Sequence, residues 1–296
     1  MSSLLRKVRA RVSIVARRRV RTLVGGEYRS VFKSRGLDFE DLRLYVPGDS
    51  VKDIDWRATM RSGQPLVKQY VADRHHRIVL AVDTGRTMGC LSAAGVPKAE
   101  VTVAAIGMIG FIAQSQGDTV SLIRGNAAGY RHTPHGRTNA HLEGILQQVD
   151  AATSVHGPAN DLRGLLAQVA THVRHPSVLV LVTDDVTGLL DNEAGLRRLG
   201  ARHEMICVLV DDLLPTDPLV AQAQTHDVDT LVTRPRYAVM DQHVAAALEE
   251  LVRSERAQLE LALDRLRIGH VTVSSEDDVV SGVLAMLDRM RRVRHR

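Results

Sequence analysis

The chain has 296 residues, 44% hydrophobic and 25% charged, the profile of a soluble globular protein with room for one large core or one domain plus extensions. Aromatics make up only 3% and there are two cysteines, Cys90 and Cys207, so the core is built from aliphatic residues and a disulfide framework or cysteine-ligated metal ribbon is excluded. The net charge of +5 resides at the ends: residues 1–21 hold eight Lys or Arg and residues 289–296 five Arg, leaving 26 basic against 34 acidic side chains between them, a body that repels phosphate, so that charge supports at most a tail-mediated, salt-sensitive contact with nucleic acid.

In chain order, Leu5, Val8, Val12 and Val15 recur at helical spacing among Arg and Lys, which predicts a basic amphipathic helix over 1–24. Such a helix suits an anionic membrane surface, an acidic partner or the protein's own acidic body equally well. Residues 25–76 form a different segment, with three of the five Tyr, two of the three Phe and the only Trp. It reads as an irregular arm pinned to the main domain by aromatic anchors, with turns at Pro47-Gly48 and Gly63-Gln64-Pro65 and a strand at Leu66–Val71.

From Ile78 strands and helices alternate. The apolar runs Ile78–Asp83, Ser177–Thr183 and Glu204–Val210 have the composition of strands buried on both faces, and each ends at Asp. Thr119–Ile123, Tyr130–Thr133, Val228–Thr233 and His270–Val273 are lesser strands. Helices are expected at Lys98–Gln116, Thr138–Val149, Asp161–Val173, Glu193–Arg198, Tyr237–Leu266 and Asp277–Arg291, with Thr138 and Asn160 as caps of the second and third. The pattern predicts an α/β, doubly wound, mainly parallel sheet with both faces covered. Its carboxylates gather at one rim, where ligands bind in such sheets. A main domain over 77–291 and a basic tail over 292–296 complete the division. The longest apolar stretch, Val101–Ala113, is too short and too rich in Gly and Ala to span a bilayer. No signal-peptide core is present, so a cytoplasmic location is expected, with residues 1–21 able to touch the inner membrane face.

No phosphate-cradling Gly-rich loop, dinucleotide fingerprint, nucleophile elbow or His-Glu-x-x-His occurs. The segments Asp83-Thr84-Gly85-Arg86-Thr87, Gly157–Leu162 and Thr183-Asp184-Asp185, in this order and at strand ends, resemble the metal-ion-dependent adhesion site of von Willebrand factor A domains. That resemblance implies a Mg²⁺ site held by hydroxyl and carboxylate oxygens. Asp83, Thr87 and Asp184 match the motif. Gly85 stands where the first Ser belongs, and Asn160 where the Thr belongs, so the site is degenerate and any Mg²⁺ weakly held. Asn160 is read either as a ligand or as a helix cap.

A second motif precedes the sheet. Tyr45-Val46-Pro47-Gly48-Asp49-Ser50-Val51-Lys52-Asp53-Ile54-Asp55-Trp56-Arg57, followed by Leu66-Val67-Lys68-Gln69-Tyr70, resembles the hallmark of the bacterial domain-of-unknown-function family fifty-eight, von Willebrand A-like proteins associated with MoxR-type AAA+ ATPases. The resemblance covers about residues 25–290. It implies a non-enzymatic adaptor that works beside such an ATPase on client proteins. In an extended segment Asp53 and Asp55 would share one side, facing Arg57 or Arg61, with Asp49 and a buried Trp56 as further packing or interaction residues. The alternatives are a metal-dependent hydrolase using the Asp-rich rim and a tether to anionic membrane or nucleic acid through the basic ends.

Overall fold

The computed structural model describes residues 3–16, 37–72, 76–214, 216–217, 226, 228 and 241–294. Its chain divides into two compact units, Lys33–His76 and the remainder, Met1–Phe32 with Arg77–Arg296.

The larger unit is built on a six-stranded sheet: β3 (Arg77–Asp83), β4 (Thr119–Asn126), β5 (Gly129–Gly136), β6 (Val178–Thr183), β7 (Glu204–Val210) and β8 (Gly269–Val273). The order is β5-β4-β3-β6-β7-β8, parallel throughout except for β5, which returns antiparallel beside β4. This is the doubly wound α/β arrangement that the alternating pattern predicts. The β3 run explains itself by parity. Ile78, Leu80 and Val82 point to one face, into a core with α3 (Lys98–Ser115), α4 (Asn139–Ala152) and α9 (Glu276–Arg294). Val79 and Ala81 point to the other, against α5 (Leu162–His172), α7 (Glu193–Gly200) and α8 (Gln242–Arg265). All five are at most 1% exposed, so burial of each large one contributes on the order of 1.5–3 kcal/mol. A strand wet on one face would alternate apolar and polar residues, and this one does not.

Helix α3 is apolar nearly all round because it is covered on two sides. A Cβ on Gly110 would lie 2.7 Å from Leu142 Cδ1, and one on Gly107 would lie 2.9 Å from Val8 Cγ2. The missing side chains there let α4 and α1 (Leu4–Ala16) approach closely. Leu5 and Val8 of α1 are buried in the same core. The α1 N-terminus is held by Glu143, whose carboxylate accepts from Leu4 N–H at 3.0 Å, Leu5 N–H at 2.8 Å and Ser3 Oγ at 2.8 Å. An acidic group on the free N–H groups of a helix start is favourable through hydrogen bonding and the helix dipole. Of the destinations open to this basic helix, the structure shows the protein's own body for its first turns. Glu143→Ala is expected to weaken that docking by about 1–2 kcal/mol. The check is tryptic cleavage at Arg6 and Lys7 under native conditions, which should accelerate roughly tenfold.

Several boundaries differ from the sequence reading. Helix α5 is capped by Asp161, which accepts from Gly164 N–H at 2.9 Å, and not by Asn160. A short helix α6 (Val186–Asp191) follows β6, capped by Asp185, where no element was expected. Helix α9 runs to Arg294, into the residues read as a tail. The expected strand at 228–233, and the helix start at 237–240, lie outside the described residues but for Val228. Among the described residues, no helix is long and apolar enough to cross a membrane.

The smaller unit pairs β1 (Leu37–Leu44) antiparallel with β2 (Leu66–Ala72) around a single-turn 3₁₀ helix at Val51–Asp53 and the helix α2 (Trp56–Ser62). Of the segment 25–76 read as an irregular arm, the described residues 37–72 hold these two strands and helices, and 25–36 and 73–75 lie outside the described residues. Arg43 and Asp49 form a bidentate pair, both contacts 2.7 Å, and Asp49 also accepts from Val46 N–H at 2.9 Å. Together they close the Pro47–Gly48 turn, where Gly48 adopts φ 111°, a conformation that L side chains rarely take. The hydrogen bonds from Arg43 hold the Asp49 carboxyl down at about 2.

Candidate functional site

The doubly wound order reverses between β3 and β6, and the carboxyl ends of these strands open the crevice where such folds bind ligands. Asp83 ends β3 there, 1% exposed. One of its oxygens accepts from Gly85 N–H at 2.9 Å; the other accepts from Asn160 Nδ2 at 2.8 Å and Thr183 Oγ1 at 3.1 Å. Thr87 Oγ1 lies 2.9 Å from Asn160 Oδ1 and 2.9 Å from Asp184 Oδ1. Asn160 Nδ2 reaches Asp184 Oδ1 at 3.4 Å. The structure thus brings Asp83, Thr87, Asn160 and Asp184 into one hydrogen-bonded network, drawn from three separate loops.

Gly85 and Asn160 are complementary. A Cβ on Gly85 would fall 2.5 Å from the Asn160 Cα and closer still to its carboxamide. Asn160 occupies the volume that a Ser at position 85 would need. The two departures from the adhesion motif are one structural change, not two.

Sequence reasoning missed the group that completes the network, Lys98. It opens α3, is 0% exposed, and sets Nζ 2.6 Å from Asp184 Oδ2 and in an ion pair with Asp212 at the end of β7. Burial alone would lower its pKa; the Asp184 and Asp212 carboxylates outweigh that, and the net shift is upward. The available signal was a cation in the first turn of an apolar helix, where the helix dipole disfavours it. Such a residue needs carboxylates close by. The neighbouring Asp211 is held separately, by a bidentate pair with Arg256.

These residues do not fit a divalent metal. Mg²⁺ requires about six oxygens in near-octahedral array. Here the carboxylate oxygens face N–H and O–H donors of the chain itself, and position 85 supplies no oxygen. No group of three or more His, Cys, Asp or Glu among the described residues is arranged to hold a metal ion.

Burial raises the Asp83 carboxyl to about 6 from its ordinary 3.8; the Asp184 charge adds to the rise, while the hydrogen bonds from Gly85, Asn160 and Thr183 oppose it. The folded state therefore binds this proton more tightly than the unfolded chain. Its contribution to stability is full below about pH 4, falls as pH rises through about 6, and costs roughly 3 kcal/mol above that. Urea unfolding of the wild type and Asp83→Asn at pH 4 and pH 7 checks this. The wild type is expected to lose ground to the variant as pH rises.

In the smaller unit, Asp55 caps α2 by accepting from Arg57 N–H and Ala58 N–H, both at 3.0 Å. The helix ends on Gly63 at φ 73°. Asp53 and Asp55 do not lie on an extended segment as expected, because 50–62 is a turn and a helix. Trp56, expected to be buried, is 60% exposed at the first position of α2. Leu44, Val46, Val51 and Met60 of the same unit are each more than half exposed as well.

The chain is similar to several known proteins. An uncharacterized protein of Mycobacterium tuberculosis is 27% identical over 229 residues, 75% of this chain and 70% of that protein. An aerotolerance-related membrane protein from Bacteroides fragilis aligns over 72% of this chain and 99% of its own at 11% identity, with a TM-score of 0.43. The SpRpn10 VWA domain aligns over 52% of this chain and 84% of its own at 11% identity, with a TM-score of 0.33. A family profile described as "Protein of unknown function DUF58" matches residues 41–258. With most of its length so matched, the chain belongs to the DUF58 family.

Proposed function

We propose that this chain is a protein-interaction adaptor that works with a MoxR-type AAA+ ATPase in the assembly or maturation of other proteins. The observation that carries the reading is the surface of the smaller unit. Leu44, Val46, Val51, Trp56 and Met60 are each more than half exposed within seventeen consecutive residues, the ones that hold the family signature. Clustered exposed apolar groups mark interaction sites, and Trp is the residue most enriched at binding hot spots. The signature's acids support that surface: Asp49 closes the turn before it, and Asp55 caps the helix that presents Trp56 and Met60.

The hydrolase alternative gains no support from the rim. Its carboxylates face donors of this chain: Asp83, raised to about 6, is buried under hydrogen bonds from Gly85, Asn160 and Thr183, and Asp212, also raised by burial, is paired with Lys98. The membrane tether would use an apolar stripe whose Leu5 and Val8 are already in the core.

The test is affinity capture of the full chain from its native host with ATP turnover blocked, followed by mass spectrometry. An AAA+ ATPase is expected in the eluate and should be depleted with Trp56→Ala. Its absence from the wild-type eluate would refute the pairing.

A further inference from the structure

We infer that the ammonium of Lys98 is the built-in cation of the rim, standing against Asp184 in the role a divalent ion has in adhesion sites, so that the network is complete without metal. This inference concerns the rim alone and does not depend on the ATPase reading.

Three independent features converge on it. The first is position. Lys98 Nζ is fully buried, 2.6 Å from one oxygen of Asp184, while the other oxygen of Asp184 accepts from Thr87 and Asn160. A cation approaching Asp184 would meet the ammonium already there, at a separation where like charges repel strongly in a buried site. The second is steric. Asn160 fills the space beside Gly85 where the motif's hydroxyl ligand would project. Its carboxamide points N–H toward Asp83 and Asp184, an orientation that suits two anions and opposes a metal between them. The third is the cost of Lys98 itself. An ammonium buried at a helix N-terminus is unfavourable both by desolvation and by the helix dipole. It is tolerated here because Asp184 and Asp212 supply the compensating charge.

The consequence concerns recognition. An adhesion-type metal keeps an exchangeable position that a partner's carboxylate can fill. Lys98 offers none: it is 0% exposed and its contacts are with side chains of this chain. The rim is a structural clasp that joins β3, β6, β7 and α3, and it recruits no acidic ligand through a bridging ion.

The experiment titrates Mn²⁺ into the metal-free full chain, follows free Mn²⁺ by electron paramagnetic resonance, and records thermal unfolding with Mn²⁺ and with EDTA. The wild type is expected to take up no stoichiometric Mn²⁺ at millimolar supply and to unfold at the same temperature in both conditions. Lys98→Met, which keeps an unbranched stem and removes the charge, is expected to lower the metal-free Tm by roughly 10 °C. One equivalent of Mn²⁺ on the wild type with an EDTA-sensitive Tm overturns the inference, as does a Lys98→Met protein with an unchanged metal-free Tm. Should that variant fail to fold, the wild-type titration decides alone.

Discussion

Asp184→Ala is expected to destabilise the larger unit by about 3–5 kcal/mol at neutral pH. Two effects oppose each other. Removing Asp184 takes away the nearer counter-ion of the fully buried Lys98 ammonium, leaving the half-exposed Asp212 carboxylate as its partner. It also strips an acceptor from Thr87 and Asn160. Against this, it relieves repulsion on Asp83. That relief is the smaller quantity, because the raised Asp83 pKa comes first from burial and only in part from Asp184. Loss of the counter-ion therefore decides the sign. Urea unfolding measures the change, and a double-mutant cycle with Lys98→Met identifies its source. If the pair accounts for it, the two substitutions together cost much less than the sum of the singles. An additive cycle would place the effect in packing.

Gly85 leads to the same conclusion from the steric side. Restoring the motif's Ser would place its Cβ 2.5 Å from a backbone atom of Asn160. A backbone atom cannot swing away as a side chain can, so overpacking of about 1–3 kcal/mol is expected. Gly85 and Asn160 fit one another, so a Ser at position 85 is accommodated only if Asn160 changes as well.

How much of this was legible in the sequence depended on the distance between the groups involved. The central strands were readable because a strand covered on both faces must be apolar at every position, a property of six or seven consecutive residues. Asp83 and Asp184 were placed at the rim by the same logic, since each ends such a run. The network between them was not readable to the same depth. Lys98 and Asp184 are 86 residues apart, and Thr87 and Asn160 are 73 apart, with no local pattern that links either pair. Asn160 also had a competing local reading as a helix cap, and Asp161 took that role. In the smaller unit, β1 has the sequence Leu-Asp-Phe-Glu-Asp-Leu-Arg-Leu, too acidic to look like a strand. Its partner β2, richer in Val and Tyr, was found. The period-two reading of Asp53 and Asp55 failed because capping by Asp55 turned the chain into a helix at that point. Local hydrogen bonds outcompeted the extended geometry.

Trp56→Ala is the substitution that separates folding from recognition. Its ring is 60% exposed at the first position of α2, so truncation there should change stability by no more than about 0.5 kcal/mol. The helix should persist, because its Asp55 cap and Gly63 terminus use backbone groups that the substitution leaves in place. Affinity for the partner should behave otherwise. Removing a Trp from the centre of an apolar contact typically costs 2 kcal/mol or more, about a 30-fold or greater weakening. Met60→Ala, 78% exposed on the same helix, should weaken binding less, since Met gives up its contacts more gently than a rigid ring. Calorimetric titration of the captured ATPase against both variants, beside their unfolding curves, distinguishes the outcomes. Unchanged affinity with unchanged stability would remove Trp56 from the interaction surface. Lost stability would show that the ring is covered within this chain and acts there, making the signature a packing device after all.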